Sequence, residues 1–462
     1  MKKTINQTIF REYDIRGSYP AEIDERVAYA LGLAFAKLMK IKKIAVGRDA
    51  RPESEKVFWP LAAGLSAGGL KINDLGVCAT PELFFAVGAK KFPSGVMVTA
   101  SHSPAGQTGF KFCDGRGRVL GLKTGLKKLI TLAEAELNKL APGVKLQPQK
   151  KQINFLSIAE DYKKFALSFI KPAEAAGFKL ILDASSGSGG HLADVIFRAL
   201  PLKFEAINFR PNDQRFRHGL NPLLAENQLA VKNLVKTQQA DLGIIFDGDA
   251  DRLVFIDEWG EAIPPYYINC LLAEIILGLK PGSVIVADAR LNLAIVKAVA
   301  DQGGKILVQR SGYANFIKTM TEKKLLFGCE NSGHVIINFA LKKKQQYVYG
   351  DVLIPALLIL KHLKKNKLTL SQAVKPFAGS YAISGELNFP AKDFSKLAAR
   401  IRRAFPTAKF SKLDGLSARD PKQDWFFNVR PSHTEPLVRV NIEAGSNRLV
   451  NQLKKKLLAL IK

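Results

Sequence analysis

Three stretches of the chain share one pattern of apolar and polar positions. In each, an apolar run ends in Asp-Ala and is followed by apolar residues at helical spacing: "KIAVGRDARPESEKVFWPLAAGL", "KLILDASSGSGGHLADVIFRAL" and "SVIVADARLNLAIVKAVADQGG". A buried strand followed by an amphipathic helix is the repeating unit of α/β domains. The pattern therefore predicts three similar mixed α/β domains in series.

The segments between these units predict where the domains end. A polar stretch with two prolines, "APGVKLQPQKK", separates the first two units. After the basic "KHLKKNK" the chain has no such unit, so we expect a smaller α+β domain at the C-terminus. The predicted domains are residues 1–150, 151–254, 255–366 and 367–462.

The composition is that of a folded protein with a large positive charge. The 462 residues, 47% of them hydrophobic, suffice for three or four domains, and the net charge is +28. The basic clusters are short and have no interleaved aromatics, so we expect a solvated surface that attracts small anions, and no nucleic acid partner. The four cysteines form no C-x-x-C pair, which predicts a reducing, cytoplasmic setting.

No segment predicts insertion in a membrane. The N-terminus "MKKTINQTIFREYDIRG" lacks an apolar core, and runs such as "VLIPALLIL" are far shorter than the roughly 20 residues of a membrane span. The last helix, "SNRLVNQLKKKLLALIK", is basic and amphipathic. A membrane surface or packing within its own domain would explain it, and we expect no membrane partner.

The segment "DLGIIFDGDADRLVFID" places three carboxylates between two apolar runs. Asp247, Asp249 and Asp251 are separated by single small residues and would repel one another unless a cation gathered them. Oxygen ligands favour Mg²⁺ over Zn²⁺. An EF-hand has Glu258 at its twelfth position, but its sixth, where glycine is needed, is Arg252. A solvated acidic turn remains the alternative.

Two further loops carry groups suited to polyols and anions. "FGCENSGH" brings a carboxylate and a hydroxyl together on a glycine-bearing loop, which suits hydrogen bonds to a sugar. "VRPSHTEPLVRV" could surround a phosphate, although a proline-initiated turn before an edge strand would look similar. The candidate residues are Glu330, Ser332 and His334 in the first loop, and Arg430, Ser432, Thr434 and Arg439 in the second.

The segment "MVTASHSPA" has a serine next to a histidine. A hydrolase would use His102 to take the proton from Ser101, but neighbouring side chains of an extended segment point to opposite faces. Without further evidence Ser101 is an exposed loop serine. Near the N-terminus, "FREYDIRG" places Arg16 directly before a glycine, where an arginine can reach into a cleft.

Taken together, these segments resemble the α-D-phosphohexomutase family, especially its phosphomannomutase/phosphoglucomutase branch, over essentially the whole chain. "TASHSPAGQTGFKF" is similar to the phosphoserine loop of the family, and "DGDADR" to its metal loop. "CENSGH" resembles its sugar loop and "RPSHTEP" its phosphate loop. The resemblance implies three α/β domains and a C-terminal α+β domain in a heart-shaped arrangement around a central cleft.

The resemblance also implies a reaction. An intramolecular phosphotransferase, classed as an isomerase, would interconvert mannose or glucose 1- and 6-phosphates through a phosphoserine and a bound 1,6-bisphosphate, which also serves as activator. Phospho-Ser101 would be held by one Mg²⁺ on the three aspartates. Lys111 would be the general base and acid, with a pKa lowered by Arg252 and the metal. The remaining implied residues are Arg16, His102, Arg252 and His334 for catalysis, Glu330, Ser332 and His334 for the sugar, and Arg430, Ser432, His433, Thr434 and Arg439 for the phosphate.

Some positions depart from the family pattern. Ser103 stands where the family usually has Asn, Cys329 where it often has Gly, and His433 where it has Asn or Gly. Arg290 and Tyr313 stand where the dual-specificity mutases have a lysine and a histidine. Arg290 can still bind phosphate, whereas Tyr313 changes the sugar contacts.

Three alternatives remain open from the sequence. Phosphoglucosamine mutase is a rival within the family, although "TASHSPAGQTGFKF" lacks the aromatic-rich loop of that branch. A metal-dependent phosphatase would use the same metal loop and let water discharge the phosphoserine. A nucleic-acid-binding protein would use the charge alone. We expect a phosphosugar substrate and a monomer or weak homodimer.

Overall fold

The computed structural model describes residues 4–148, 150–212, 216, 218–342, 345–390, 393–420, 422–432 and 437–461. The chain packs into two compact units, Met1–Ala262 with Ile336–Lys365, and Ile263–Val335 with Asn366–Lys462. Within the described ranges, no helix combines the length and the apolar character that crossing a bilayer requires.

The first unit begins with a six-stranded mixed sheet and four helices. These are β1 (Ile15–Ser18), α1 (Glu25–Met39), β2 (Lys43–Arg48), α2 (Pro52–Ala67), β3 (Lys71–Val77), α3 (Thr80–Ala89), β4 (Ser94–Val98), β5 (Gln107–Asp114), α4 (Lys127–Lys139) and β6 (Ile153–Phe155). The strand order is β1-β5-β4-β2-β3-β6, in which β5 is antiparallel to both of its neighbours and the other pairs are parallel.

Two glycines let α1 and α2 pack at close range. A Cβ on Gly32 would lie 2.3 Å from the carbonyl oxygen of Leu61, and one on Gly64 would lie 2.0 Å from that of Tyr29. Any side chain at either position would collide with the backbone of the other helix. This close pair covers the sheet whose strands β2 and β4 lead into the candidate site.

A second sheet follows in the first unit. Its elements are α5 (Ala159–Leu167), β7 (Lys179–Asp183), α6 (Gly190–Phe197), β8 (Lys203–Ile207), α7 (Leu229–Gln238), β9 (Leu242–Phe246), β10 (Leu253–Ile256) and the short β11 (Ala262–Ile263). The order is β11-β10-β9-β7-β8, with β7 parallel to β8 and β9 and with β10 antiparallel to β9. The antiparallel β9 and β10 flank the acidic loop, which rules out the helices of an EF-hand.

The glycine-rich turn after β7 makes room for the acidic loop. A Cβ on Gly187 would lie 2.4 Å from the carbonyl oxygen of Gly248, and the backbone N–H of Ser188 donates to the same oxygen at 2.9 Å. The turn and the loop therefore touch through their backbones. This contact sets the position of the acidic loop relative to the C-terminal end of β7.

The second unit begins with a parallel three-stranded layer and its helices. The elements are α8 (Pro265–Leu279), β12 (Val284–Asp288), α9 (Leu293–Asp301), β13 (Lys305–Gln309), α10 (Tyr313–Lys323) and β14 (Phe327–Cys329). β12 pairs in parallel with both β13 and β14. The hairpin β15 (Val335–Lys342) and β16 (Gln345–Gly350) and the helix α11 (Leu353–Asn366) come next in the sequence and belong almost entirely to the first unit. The chain returns to the second unit with α12 (Leu370–Ser380), which packs on α8 and α9.

The C-terminal part of the second unit is an antiparallel sheet with two helices. It contains β17 (Ala382–Ile383), β18 (Leu387–Pro390), α13 (Phe394–Ala404), β19 (Lys409–Ser411), β20 (Leu416–Asp420), β21 (Trp425–Pro431), β22 (Leu437–Ala444) and α14 (Asn447–Ile461). The order is β17-β22-β21-β20-β19, and β18 also pairs with β22. Val450, Leu453 and Leu457 of α14 are buried in the core of this sheet, so packing within the domain accounts for the amphipathic pattern of the last helix.

One buried carboxylate joins the two parts of the second unit. Glu443 on β22 accepts hydrogen bonds from the Tyr266 hydroxyl at 2.6 Å and from the backbone amides of Asn292, Leu293 and Ala294 at 2.7 to 2.9 Å. These amides open α9, where a negative charge is favoured and unpaired N–H groups need acceptors. Glu443 thus attaches the C-terminal sheet to the loop that precedes α9.

The predicted α/β fold class is confirmed, whereas the heart-shaped arrangement stays a prediction. The three strand-to-helix repeats are β2–α2, β7–α6 and β12–α9, and each strand leads into the predicted aspartate, Asp49, Asp183 or Asp288. An antiparallel α+β part follows, as expected. The boundaries at residues 150, 254 and 366 stay predictions.

A buried aspartate gives the first unit a testable pH dependence. Asp351 accepts a hydrogen bond from the Tyr162 hydroxyl at 2.6 Å and another from the Ile354 amide at 3.0 Å. Burial raises the pKa of Asp351 to about 6, although these bonds oppose the rise. An aspartate in an unfolded chain has a pKa of about 3.9. The folded state therefore holds the proton more tightly, and stability is lost as pH rises from about 4 to about 6.

We expect Asp351→Asn to remove this dependence, because the amide cannot ionise. Its oxygen can still accept from the Ile354 amide, and its NH2 group can donate to the Tyr162 hydroxyl. The free energy of unfolding of the variant relative to the parent should rise by about 2 kcal/mol between about pH 4 and about pH 7. Urea unfolding of both proteins across this range measures the difference. Asp194→Asn, which alters a carboxylate that pairs at the surface with Arg198, should show no such change. Parallel curves for Asp351→Asn and the parent would contradict the assignment.

Candidate active site

Ser101 lies in the turn that follows β4, with a left-handed φ of 51°. Its Oγ donates to Asp247 Oδ2 at 2.9 Å, and its side chain is buried, with a relative exposure of only 1% for the residue. The expectation of an exposed serine is therefore wrong. The acidic loop packs on it so closely that a Cβ on Gly248 would lie 2.6 Å from the Ser101 carbonyl oxygen.

The side chains of Ser101 and His102 lie on the same side of the chain. The Ser101 Oγ is 3.2 Å from His102 Nδ1, and His102 Nε2 is 3.5 Å from an Arg252 guanidinium nitrogen. The expectation that they point to opposite faces is wrong, because it assumed an extended backbone and the turn at Ser101 is left-handed. The structure brings together Ser101, His102, Asp247 and Arg252.

The three aspartates of the acidic loop form one buried cluster. One carboxylate oxygen from each of Asp247, Asp249 and Asp251 can be chosen so that all lie within 4.8 Å of one another. Burial, followed by the charges of Asp251 and Asp249, raises the pKa of Asp247 well above its ordinary value. Asp249 Oδ1 is buried and has no hydrogen-bond partner among the described residues. Carboxylate oxygens, one of them unsatisfied, fit a hard divalent cation such as Mg²⁺.

The chain itself supplies one cation to this cluster. Lys111 on β5 places its Nζ 2.6 Å from both Asp249 Oδ2 and Asp251 Oδ2. Burial alone would lower the pKa of Lys111, but these two ion pairs raise it above its ordinary value. We expected the pKa of Lys111 to be lowered, and the contacts with Asp249 and Asp251 raise it instead. The amine form of Lys111 becomes accessible only when another cation takes over the charge of the aspartates.

The start of α3 also supports the acidic loop. The Thr80 amide donates to the Asp249 carbonyl at 2.8 Å, and the Thr80 hydroxyl donates to Asp249 Oδ2 at 2.7 Å. Thr99, at the end of β4, contacts the same oxygen at 3.2 Å and accepts a bond from the Ser101 amide at 2.8 Å. Two sheets therefore fix the serine and the aspartates relative to each other.

Arg16 lies beside the serine turn. Its guanidinium donates to Asp14 Oδ2 at 2.7 Å and to Ser103 Oγ at 3.0 Å. Ser103, which departs from the family pattern, thus has a contact of its own. Burial would lower the pKa of Arg16, but the Asp14 carboxylate raises it. Arg16 is charged and held within the same loop cluster.

Arg51 was missed in the sequence analysis. Its guanidinium donates to the carbonyls of Ser101 at 2.7 Å, Pro104 at 2.8 Å and Gln107 at 3.2 Å, and it also contacts the Ser103 carbonyl. It therefore holds the whole serine turn. The sequence did contain a signal for Arg51. In "GRDAR" it stands two positions after Asp49, the aspartate at the end of the apolar run in the first repeat.

The second unit contains the predicted sugar loop, which follows β14. Glu330 Oε1 accepts from the Gly312 amide at 2.8 Å, and Glu330 Oε2 lies 3.3 Å from His334 Nδ1. Ser332 Oγ is 2.9 Å from the same nitrogen. Burial would raise the pKa of Glu330, but the contact with His334 lowers it. The ring of Tyr313 lies 5.5 Å from that of His334, beside this loop.

Arg290 is tied to the end of its own strand. Its Nε lies 3.0 and 2.9 Å from the two carboxylate oxygens of Asp288, and a terminal nitrogen lies 3.8 Å from Glu330 Oε1. Its other terminal nitrogen is 3.7 Å from Glu386 Oε2. Arg290 therefore links the sugar loop to the C-terminal sheet of the second unit. Asp288 and Glu386 were not among the residues predicted for this site.

Two predicted phosphate ligands lie together on the C-terminal sheet. Arg430 on β21 and Arg439 on β22 are directly opposite each other, and each lies 3.3 Å from an oxygen of Glu386. The Ser432 amide donates to the Leu437 carbonyl at 2.8 Å. His433 and Thr434 lie outside the described residues.

Models of the four phosphoglucomutase/phosphomannomutase domains match almost the whole chain. The α/β/α domains I, II and III match residues 7–138, 159–260 and 264–381, and the C-terminal domain matches residues 386–460. The chain belongs to this family. Family membership makes it a hexose phosphate mutase, as the four motifs predicted.

Named relatives of this family are similar over nearly their full length. A phosphomannomutase of Escherichia coli is 32% identical, with 98% of this chain and 99% of the relative covered. The phosphohexose mutases of Xanthomonas campestris are 34% identical, with 94% of each chain covered. A phosphoglucomutase/phosphomannomutase family protein from Burkholderia thailandensis has a similar structure, with a TM-score of 0.84 and 27% identity over 99% of this chain and 98% of that one.

The acidic cluster generates a test of metal binding. We expect Asp249→Asn to weaken Mg²⁺ binding by about tenfold or more. The change removes the charge of a ligand whose buried Oδ1 has no hydrogen-bond partner among the described residues. Isothermal titration of the folded, chelator-treated protein with Mg²⁺ measures the change. Asp194→Asn, which removes a surface carboxylate, should bind as the parent does. Equal Mg²⁺ affinity of Asp249→Asn and the parent would contradict the metal assignment.

Proposed function

We propose that the enzyme interconverts hexose 1-phosphates and hexose 6-phosphates, with mannose and glucose as the sugars, through a phosphorylated Ser101. The observation that carries this proposal is the Ser101 hydroxyl, 2.9 Å from Asp247 within a buried cluster of three carboxylates. A hydroxyl in that position has acceptors for its proton and lies beside carboxylates that could hold a cation next to its phosphate.

The proposed reaction consists of two phosphoryl transfers. The free hydroxyl of the bound monophosphate attacks the phosphorus of phospho-Ser101, and the bond from phosphorus to the serine oxygen breaks. The hydroxyl proton passes to a base, and the serine oxygen takes up a proton. The product is a 1,6-bisphosphate, which turns over in the site. Its other phosphate then passes back to Ser101, which leaves the isomeric monophosphate and restores the phosphoenzyme. Added 1,6-bisphosphate would act as activator by phosphorylating Ser101 in enzyme molecules that have lost their phosphate.

The residues around Ser101 have complementary roles in this proposal. Arg16, His102 and Arg252 stabilise the charge that spreads over the phosphoryl oxygens. Lys111 is the candidate general base and acid, and it can give up its proton only after another cation shares the charge of Asp249 and Asp251.

The three aspartates and an oxygen of phospho-Ser101 would hold one Mg²⁺. Bound there, the ion supplies positive charge that offsets the phosphoryl group and polarises it for attack. The fit rests on the oxygen donors of Asp247, Asp249 and Asp251 and on the unsatisfied Asp249 Oδ1.

The second unit supplies the substrate contacts. Glu330, Ser332 and His334 would bind sugar hydroxyls, since their carboxylate, hydroxyl and ring nitrogen already share hydrogen bonds in one loop. The phosphate that is not transferred would bind at the arginines of the C-terminal sheet. The proposed ligands are Arg430, Ser432, His433, Thr434 and Arg439.

Other readings make different predictions. If glucosamine phosphate is the substrate, a coupled mutase assay should turn over glucosamine 1-phosphate faster than mannose or glucose 1-phosphate. A phosphatase would release the labelled phosphate to water, whereas a mutase keeps it on sugar. Nucleic acid binding would compete with activity and weaken with salt. A cytoplasmic location and a monomer or weak homodimer stay predictions.

The serine assignment has a direct test. We expect Ser101→Ala to lose most mutase activity and to lack the labile phosphate that intact-protein mass measurement detects on the parent, because the acceptor oxygen is gone. The fold should persist with a loss of about 1 kcal/mol, since one buried hydrogen bond is removed. Ser103→Ala, in the same loop, should retain the labile phosphate. Near-full turnover by Ser101→Ala would refute the phosphoserine mechanism.

The sugar loop predicts the substrate preference. Mannose and glucose differ only at C2, whereas Glu330 and Ser332 would bind the 3- and 4-hydroxyls, which both sugars hold equatorially. We expect kcat/KM for the two 1-phosphates to agree within about tenfold, or about 1 kcal/mol. Galactose 1-phosphate, with an axial 4-hydroxyl, should be poorer because one buried polar group loses its partner, at a cost of roughly 1 to 3 kcal/mol.

Coupled assays of the three 1-phosphates under one set of conditions measure these ratios. Tyr313→His is the matched variant, because it restores the residue that dual-specificity mutases have beside the loop. A preference above about a hundredfold between mannose and glucose in the parent, or equal turnover of galactose, would contradict the proposed contacts. Loss of such a preference in Tyr313→His would identify the tyrosine as its cause.

A further inference from the structure

Two arginines of the C-terminal sheet face each other across adjacent strands. Arg430 on β21 is the direct partner of Arg439 on antiparallel β22. Residues directly opposite project from the same face of a sheet, and like charges in this position destabilise it. The pair therefore needs an anion between the two guanidinium groups.

Glu386 supplies that anion. Its Oε2 lies 3.3 Å from an Arg430 terminal nitrogen, and its Oε1 lies 3.3 Å from one of Arg439. Each arginine thus contacts one oxygen of the same carboxylate. Glu386 directly precedes β18, which pairs with β22 so that Asn388 lies opposite Arg439. Its backbone position is therefore set by the same sheet that carries the arginines.

A third arginine also approaches Glu386. Arg290 also lies 3.7 Å from Glu386, but Asp288 holds it through closer contacts and offsets its charge. Burial would raise the pKa of Glu386, but the three arginines lower it, so the carboxylate is ionised at neutral pH.

A carboxylate bound between two guanidinium groups presents the same chemistry as two oxygens of a phosphate. The side chains of Glu386, Arg430 and Arg439 are partly exposed, at 30%, 14% and 31%, so a small anion can reach them. Glu386 and a phosphate group would thus seek the same donors.

We propose that Glu386 is an internal competitor for the phosphate subsite, holding Arg430 and Arg439 together in the free enzyme and giving way to the phosphate of the substrate. The inference rests on the proposed function, because it takes these two arginines as phosphate ligands. It implies that part of the binding free energy of phosphate is offset by the release of Glu386. A phosphosugar would therefore bind less tightly and leave faster than the arginines alone would allow.

A purely positioning role makes the opposite prediction. If Glu386 only orients the arginines, its removal loosens them and weakens phosphate binding. If it competes, its removal strengthens binding. The sign of the change separates the two roles.

The test is calorimetric titration of full-length Glu386→Gln with inorganic phosphate at low ionic strength and constant pH. We expect the dissociation constant to fall by roughly five- to tenfold relative to the parent, which corresponds to the loss of two partly exposed ion pairs. The rise in melting temperature that phosphate produces should also be larger in the variant. Glu261→Gln, which alters a carboxylate close to Lys232 and Lys236 in the other unit, should bind phosphate as the parent does.

A second variant guards against misfolding of the first. Glu386→Asp keeps the charge but shortens the side chain, so both ion pairs weaken and phosphate affinity should rise by a smaller factor. Adding Arg430→Gln to Glu386→Gln should cancel the gain, because the phosphate then loses one of its two arginines. Unchanged or weaker phosphate binding in Glu386→Gln would overturn the proposal, as would a gain that survives the loss of Arg430.

The mutase assay of the parent keeps this test separate from that of the proposed function. An inactive parent whose phosphate affinity still rises on Glu386→Gln would contradict the proposed reaction and support the competitor. An active parent whose affinity falls in the variant would overturn the competitor and leave the reaction standing.

Discussion

The structure depends above all on the burial of three carboxylates in one short loop. Asp247, Asp249 and Asp251 are almost completely removed from water, where their mutual repulsion is least screened. Lys111 offsets part of this charge, and the hydroxyls of Thr80 and Ser101 donate to Asp249 and Asp247. A loop of this charge remains folded only if two sheets supply its partners, and those partners include the serine that we propose is phosphorylated.

In the second unit, the like charges that need compensating partners are positive instead of negative. The phosphate subsite that we propose there gathers guanidinium groups that would repel one another, and Glu386 and Asp288 lie against them. Glu443 attaches the strand that carries Arg439 to the start of α9, close in sequence to Arg290. Fixed positions for these charges reduce the reorganisation that a charged substrate would otherwise require.

The sequence motifs identified most of the residues that these contacts bring together, but not their surroundings. The acidic loop was recognisable because three aspartates in five residues have few uses other than cation binding. Arg51 was not, because its role consists of bonds to four backbone carbonyls that are distant in sequence. The burial of Ser101 was mispredicted for the same reason, since the loop that covers it follows a strand of another sheet.

The sequence by itself determined the repeated strand-to-helix units, the family and the types of group available for the chemistry. These follow from local periodicity and from short motifs, which a linear pattern records directly. Only the tertiary structure decided which charges meet, that the pKa of Lys111 is raised where a lowered one was expected, and that Glu386 lies between Arg430 and Arg439. Electrostatic effects depend on distance and burial, and residues far apart in the chain acquire both only when it folds.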